Sequence, residues 1–246
     1  MTVGALALVG CRPDTVTLGF APEVGDTYRY RYDIDLVLTR TVEGGPPDVT
    51  ELRSTLTSAQ EVLGIGPEGV LVEVALRSEA SAPTTAVVLL DRAGSLQAIE
   101  EVEGLPAEAA GLSPVATVLA SGATEPPERP LSPGDRWTIA GDDVLGEGRL
   151  VRLGVVDGQE VAVLTTSLVQ AVDDAVVAGN SAVALEGELR SSTSTTFDLI
   201  DGAVREGSTT ATGRVDLEVS PPPGTAGPAV PAAITYELRI RTVRLG

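Results

Sequence analysis

Histidine and lysine are absent from this chain of 246 residues, and cysteine, methionine and tryptophan each occur once. Without histidine there is no imidazole general base, no Ser-His-Asp or Cys-His pair and no histidine-ligated metal, and without lysine no Schiff base can form. The sequence therefore predicts a protein that is not an enzyme and that has no catalytic residue, cofactor or metal site.

Basic side chains and long apolar segments are also scarce. The chain carries 17 arginines against 35 acidic residues, for a net charge of −18. Nucleic-acid binding depends on basic side chains that contact phosphates, so this balance predicts no nucleic-acid partner. No stretch approaches the ~20 consecutive apolar residues of a membrane span.

The only cysteine, Cys11, follows an apolar run from Thr2 to Val9. The sequence Leu8-Val9-Gly10-Cys11 resembles a bacterial lipobox, which implies that the thiol of Cys11 is acylated and that the chain is cut just before it. Residues 1–10 would then be the remnant of a signal peptide, and the Pro- and Gly-rich residues 11–24 a tether. None of the ten preceding residues is basic, which a start upstream of Met1 would explain. The alternative is a buried cysteine after a chance apolar start.

Period-2 alternation dominates the chain after residue 24. Between Tyr28 and Arg40 the apolar residues occupy every second position, which is typical of a half-buried β-strand. Such a strand would be about 43 Å long, and long strands twist and bend, so a curved sheet is expected. Asp-Gly turns predict two hairpins: Asp157-Gly158 joins strands 149–156 and 159–169, and Asp201-Gly202 joins strands 191–200 and 203–219.

Two related halves are predicted within a single β domain, residues 25–246. The segment Gly25-Asp26-Thr27-Tyr28 has a counterpart in Gly134-Asp135-Arg136-Trp137. We therefore predict a mainly β fold, a long bent antiparallel sheet or partial barrel with halves at 25–104 and 132–246. Residues 105–131 would form a short helix and a linker, the helix lying within Leu105 to Ala120 with Ser113 as its N-cap.

These motifs, together with the segment Phe197-Asp198-Leu199-Ile200-Asp201-Gly202, resemble uncharacterised bacterial cell-envelope lipoproteins. The predicted architecture is also loosely similar to that of the LolA, LppX and LprG-like lipoprotein carriers. The resemblance implies a palmitate-bearing protein on the extracytoplasmic side of the cell membrane, with the membrane as a partner through the anchor. The carriers hold acyl chains inside a bent sheet, which implies a lipid or another apolar small molecule as ligand.

Tyr28, Tyr30, Tyr32 and Leu36 are the candidate ligand-binding residues, because three of the seven aromatic residues lie on one face of one strand. The alternative is that the tyrosines fill the core with their hydroxyls in water. A GxGxxG match at 64–69 is interpreted as a turn, since valines rather than a helix follow it. The acidic pairs 142–143 and 173–174 lack calcium-ligand spacing and are interpreted as solvated loop charge.

The sequence leaves two functions open. The first is a non-enzymatic, lipid-anchored envelope protein that binds a lipid or another apolar ligand in the concave face of the sheet. The second is an interaction or scaffold module of the cell envelope whose core is filled and whose outer surface meets partner proteins. An apolar cavity would favour the first, and a packed interior with an exposed apolar patch would favour the second.

Overall fold

Twelve antiparallel strands form one sheet in this computed structural model. The structure describes residues 15–78, 83–94, 96–103, 105–106, 126–141, 143–178, 181–221, 225 and 227–246. The strands are β1 (Thr27–Val42), β2 (Asp48–Ile65), β3 (Val70–Ser78), β4 (Thr84–Leu90), β5 (Leu96–Val102), β6 (Leu105–Pro106), β7 (Arg136–Ala140), β8 (Val144–Val156), β9 (Gln159–Ala178), β10 (Ser181–Asp198), β11 (Val204–Val219) and β12 (Val230–Leu245). The prediction of a mainly β, antiparallel fold is confirmed.

No helix occurs in the described ranges. Leu105 and Pro106, the first residues of the segment predicted to contain a helix, form the two-residue strand β6, paired with Glu101 and Val102 of β5. The remainder of the predicted helix lies outside the described residues.

Each half of the chain contributes a meander of six strands, and the strand order is β6-β5-β4-β3-β2-β1-β12-β11-β10-β9-β8-β7. The halves join where the first strand pairs with the last, Arg29 opposite Leu245 and Val42 opposite Ala232. β6 and β7 lie at the two edges, so the sheet is open.

The sheet is strongly curled, as the contacts of two consecutive residues demonstrate. The amide of Phe20 donates to the carbonyl of Arg92, in the β4–β5 turn, at 2.7 Å, and the amide of Ala21 donates to that of Asp201, in the β10–β11 turn, at 3.0 Å. β4 and β11 are five strand spacings apart, which would be about 24 Å in a flat sheet. Only a curled sheet can place both turns within hydrogen-bond distance of two consecutive residues. The predicted bend is therefore present.

Curling gives the sheet a concave apolar face and a convex polar face. The convex face carries exposed ion pairs such as Arg31–Asp33 at 2.8 Å and Arg214–Asp216 at 2.7 Å. Pairs this exposed contribute little to stability, because water screens the attraction between the two charges. They do keep the convex face hydrated, and both cores lie on the concave side.

Two cores fill the end of the concave face at which β1 begins and β12 ends. The first core is built mainly on β1 to β5, and its buried side chains include Tyr28, Tyr30, Tyr32, Val62, Val72, Val74, Val88 and Leu90. The second core lies on the other half, and its buried side chains include Leu18, Leu131, Trp137, Ile139, Leu150, Leu164 and Phe197. Val204 packs against both, so the two halves share one continuous apolar contact.

The Gly-Asp motifs of the two halves have the same local geometry. Gly25 and Gly134 both have positive φ, 91° and 99°. The amide of Gly25 donates to Val62 at 2.9 Å and that of Gly134 to Leu150 at 2.7 Å. The carboxylate of each motif aspartate accepts a hydrogen bond from the backbone amide three residues earlier, at 2.8 Å for Asp26 and 2.9 Å for Asp135. The two motifs thus begin β1 and β7 by the same turn.

Residues 15–22, which we name the strap, cross the base of the sheet. The base is the end that holds the turns 66–69, 91–94, 157–158 and 199–203. Val16 and Leu131 exchange two backbone hydrogen bonds of 2.8 Å, and Leu18 is buried in the second core. The sequence assigned residues 11–24 to a tether, whereas their described part is hydrogen-bonded to both halves. Packing of Leu18 and Phe20 accounts for this order in a segment rich in Pro and Gly.

Candidate ligand-binding face

The three candidate tyrosines are core side chains. Tyr28, Tyr30 and Tyr32 are only 3%, 6% and 4% exposed and belong to the first core. The hydroxyl of Tyr32 lies 3.3 Å from that of Ser58. Their burial favours the alternative in which they fill the core, and their ligand-binding role stays a prediction. Only Leu36, higher on β1, remains partly exposed.

Tyr28 also receives a charged partner at the base. The guanidinium of Arg244 stacks 4.8 Å from the centre of its ring and pairs with Asp201 at 2.9 Å. A stacked, paired arginine is worth more when it is sheltered from water, as this one is. Arg244 therefore fastens the end of β12 to the β10–β11 turn, and it is not free to bind an anion.

Burial raises the pKa of Tyr30 and Tyr32, and burial together with the charge of Asp201 raises that of Tyr28. In the unfolded chain tyrosine ionises near pH 10. Above that pH the unfolded state binds fewer protons than the folded state, so stability falls as pH rises. We expect a free energy of unfolding that is steady from about pH 6 to 9 and falls above pH 10. Urea unfolding across this range would measure it, and Tyr30→Phe should make the decline shallower; an equally steep decline in that variant would contradict the assignment.

Farther from the base than the two cores, the long strands carry apolar side chains that belong to neither core. These residues, which we name the apolar field, are all half-buried: Leu36, Leu38, Leu185, Leu189, Val215, Leu217, Ile234 and Tyr236. They stand on four adjacent strands, β1, β12, β11 and β10. Three strand spacings and about six residues of rise make a surface of roughly 14 by 20 Å.

Strand register brings the field together. Leu38 lies opposite Tyr236, which lies opposite Gly213, which in turn lies opposite Leu189. Gly213 is needed in this row, since a Cβ there would stand 2.6 Å from a methyl of Leu189 and 2.8 Å from the ring of Tyr236. The glycine lets both side chains close over the backbone, and so the row is a continuous apolar strip.

Charge is excluded from the field but surrounds it. Each field residue alternates with a side chain on the convex face, where Glu186, Arg190 and Glu237 are exposed. On the concave face two exposed charged residues border the field: Arg40 lies opposite Ile234, and Asp174 lies opposite Leu185. The apolar side chains of the field thus lie together, with exposed charged side chains at two of its edges.

The sequence contained a signal for the field that the hairpin assignment missed. Between residues 159 and 200 the sequence predicts strands only for 159–169 and 191–200. In the structure β9 extends to Ala178 and β10 begins at Ser181. Leu185 and Leu189 alternate with Glu186 and Glu188 at the period of a strand. That alternation would have placed Leu185 and Leu189 on the same face as Leu36.

Other predicted features are located as follows. Residues 66–69 form the β2–β3 turn, in which the amide of Gly66 donates to the carbonyl of Gly69 at 2.8 Å, and this confirms the interpretation of the GxGxxG match. Asp173 and Asp174 are exposed, but they lie within β9 rather than in a loop.

Within the described ranges no three acidic, cysteine or histidine residues come together to hold a metal ion. Cys11 lies outside the described residues.

No protein-family model matches this chain, and no curated protein sequence matches it. Among solved structures it is weakly similar to Pseudomonas aeruginosa OccK11 (OpdR), with 8% identity, a TM-score of 0.18, and coverage of 94% of this chain and 99% of the other. A loop L8 deletion mutant of OmpT, an outer membrane protein of Vibrio cholerae, has 7% identity and a TM-score of 0.16, with 91% and 100% covered. Scores this low carry no argument about fold or function. The described part of the chain has no helix long and apolar enough to cross a bilayer.

Proposed function

We propose that this protein is a non-enzymatic, lipid-anchored protein of the cell envelope that binds a lipid or another apolar ligand on the apolar field. One observation carries the proposal: eight apolar side chains on four adjacent strands lie on the concave face outside both cores. Apolar surface that a fold leaves unburied is a common mark of a binding site. Four aligned strands give this site a rigid floor, which limits the entropy lost on binding.

A scaffold module is the second candidate, and the two cores favour it. Val88, Leu150 and Leu164 are fully buried, so the base of the sheet is filled with side chains. In that case the field would meet a partner protein rather than a small molecule. Mass spectrometry of organic extracts from protein purified without detergent distinguishes the two, since a ligand-binding protein should release a stoichiometric apolar compound and a scaffold should not.

A charge placed in the field should abolish ligand binding. Leu185 and Leu217 lie opposite each other, and we expect the double variant Leu185→Asp/Leu217→Asp to bind Nile red, an uncharged apolar probe, at least about tenfold more weakly. Each aspartate must be desolvated beneath the probe, and about 1.4 kcal/mol suffices for a tenfold change. A fluorescence titration measures the effect.

The matched control places the same charges on the convex face. Ser192 and Thr210 also lie opposite each other on β10 and β11, and both are exposed. Ser192→Asp/Thr210→Asp should leave Nile red affinity unchanged. If the Leu185/Leu217 variant folds, as judged by circular dichroism, and binds as well as this control, the apolar field is not the binding site.

The anchor has a separate test. Cys11→Ser removes the thiol that the lipobox resemblance assigns to acylation, so the variant is expected to move from the membrane fraction to the soluble fraction of the cell. Its thermal unfolding should match that of the delipidated parent, because residue 11 precedes the strap. Persistent membrane association of a folded Cys11→Ser protein would contradict the lipid anchor.

A further inference from the structure

The base of the sheet exposes several aliphatic side chains. Ile65 is the last residue of β2, directly before the β2–β3 turn, and it is 53% exposed. Ile200 lies in the β10–β11 turn and is 76% exposed. Other exposed aliphatic residues at the same end are Val24, Leu63, Val155 and Leu245. Turns at a strand end normally carry polar residues, so isoleucines at this exposure have no explanation in the stability of the fold.

The chain leaves the described fold at this same end. The strap crosses the base, and its first described residue, Thr15, is exposed. It lies four positions after Cys11, and a fully extended chain of that length spans at most about 14 Å. A lipid attached at Cys11 would therefore hold the base close to the bilayer surface.

We propose that the base is a membrane-contacting surface, on which Ile65 and Ile200 enter the outer part of the bilayer next to the anchor. This inference rests on the lipid anchor proposed above. It also orients the domain: the open ends of the long strands point away from the membrane, about 50 Å from the base for the 16 residues of β1. In this orientation the apolar field stands between the bilayer and the distal ends of the strands.

The charges of the base select the kind of membrane. Glu68 in the β2–β3 turn and Glu160 at the start of β9 are exposed, as is Arg92 in the β4–β5 turn, while Asp157 in the β8–β9 turn pairs with Arg205 at 3.1 Å. An anionic surface would repel the carboxylates of Glu68 and Glu160, and the base offers no cluster of arginines in the described residues to offset this, whereas a zwitterionic surface would not repel them. Contact is therefore expected through apolar insertion into zwitterionic lipid rather than through electrostatic attraction.

Site-directed spin labelling of the acylated, full-length protein tests the inference. Because acylation occupies Cys11, an introduced cysteine is the only free thiol. Nitroxides would be placed at Ile65→Cys and Ile200→Cys, with Val49→Cys as the control; Val49 is 55% exposed on β2, near the opposite end of the sheet. Phosphatidylcholine vesicles carry the protein, and collision rates with oxygen and with a polar nickel complex are compared.

At positions 65 and 200 we expect a several-fold rise in the ratio of oxygen to nickel collisions when the protein is bound to vesicles, and no change at position 49. Equal ratios at all three positions in protein that floats with the vesicles would overturn the membrane-contacting base and leave the anchor standing. Acylated protein that fails to float would overturn both.

Discussion

Replacing Trp137 with alanine is expected to lower the free energy of unfolding by about 3 to 5 kcal/mol. Trp137 is 8% exposed and belongs to the second core. Its ring lies over Gly148 on β8, where an added Cβ would overlap the indole. β7 has five residues and forms an edge of the sheet, so this ring supplies much of the packing that holds the strand.

The effect should come from packing alone. The indole nitrogen of Trp137 is buried without a hydrogen-bond partner in the described part of the chain, so alanine removes apolar contacts and leaves no described acceptor unpaired. Trp137→Phe, which keeps a ring over Gly148, should cost much less. Urea unfolding followed by circular dichroism measures both, since the substitution removes the only tryptophan. A loss below about 1 kcal/mol for Trp137→Ala would show that the second core does not depend on this ring.

Substitution of Gly202 is expected to release the strap as well as to strain a turn. Gly202 has φ +69°, and a Cβ there would overlap the carbonyl oxygen of Gly19 and stand 3.0 Å from the Cα of Phe20. A left-handed backbone costs a non-glycine residue about 1–2 kcal/mol. The overlap with the strap adds about 1–3 kcal/mol of overpacking.

Gly158 offers a control with the same backbone strain and no overlap. It has φ +82° in an Asp-Gly turn, and a Cβ there would have no atom within 4 Å. Gly158→Ala should therefore cost only the strain, and the difference from Gly202→Ala isolates the strap contact. Hydrogen exchange should become faster at the amides of Phe20 and Ala21 in Gly202→Ala alone. Equal losses of stability and unchanged exchange would mean that the strap does not bind this turn.

The candidate site could be predicted in part. Leu36 was identified from alternation, and it does lie in the apolar field. The tyrosines share that alternation, but alternation assigns a side chain only to a face, and curling decides which part of a face is covered. Tyr28 and Leu36 therefore lie on the same face of β1, but Tyr28 is buried in the first core and Leu36 is partly exposed outside both cores.

The sequence by itself determined the strand class, the turns and the polarity of the two faces. Apolar residues at every second position can be buried only by a strand, and the Asp-Gly and Gly-Asp turns have local causes in positive φ and aspartate hydrogen bonds. Tertiary structure decided the pairing of β1 with β12, the ordering of the strap and the position of the apolar field. Each of these depends on contacts between residues distant in the chain, such as Phe20 with Arg92 and Ala21 with Asp201, and local propensity carries no information about such contacts.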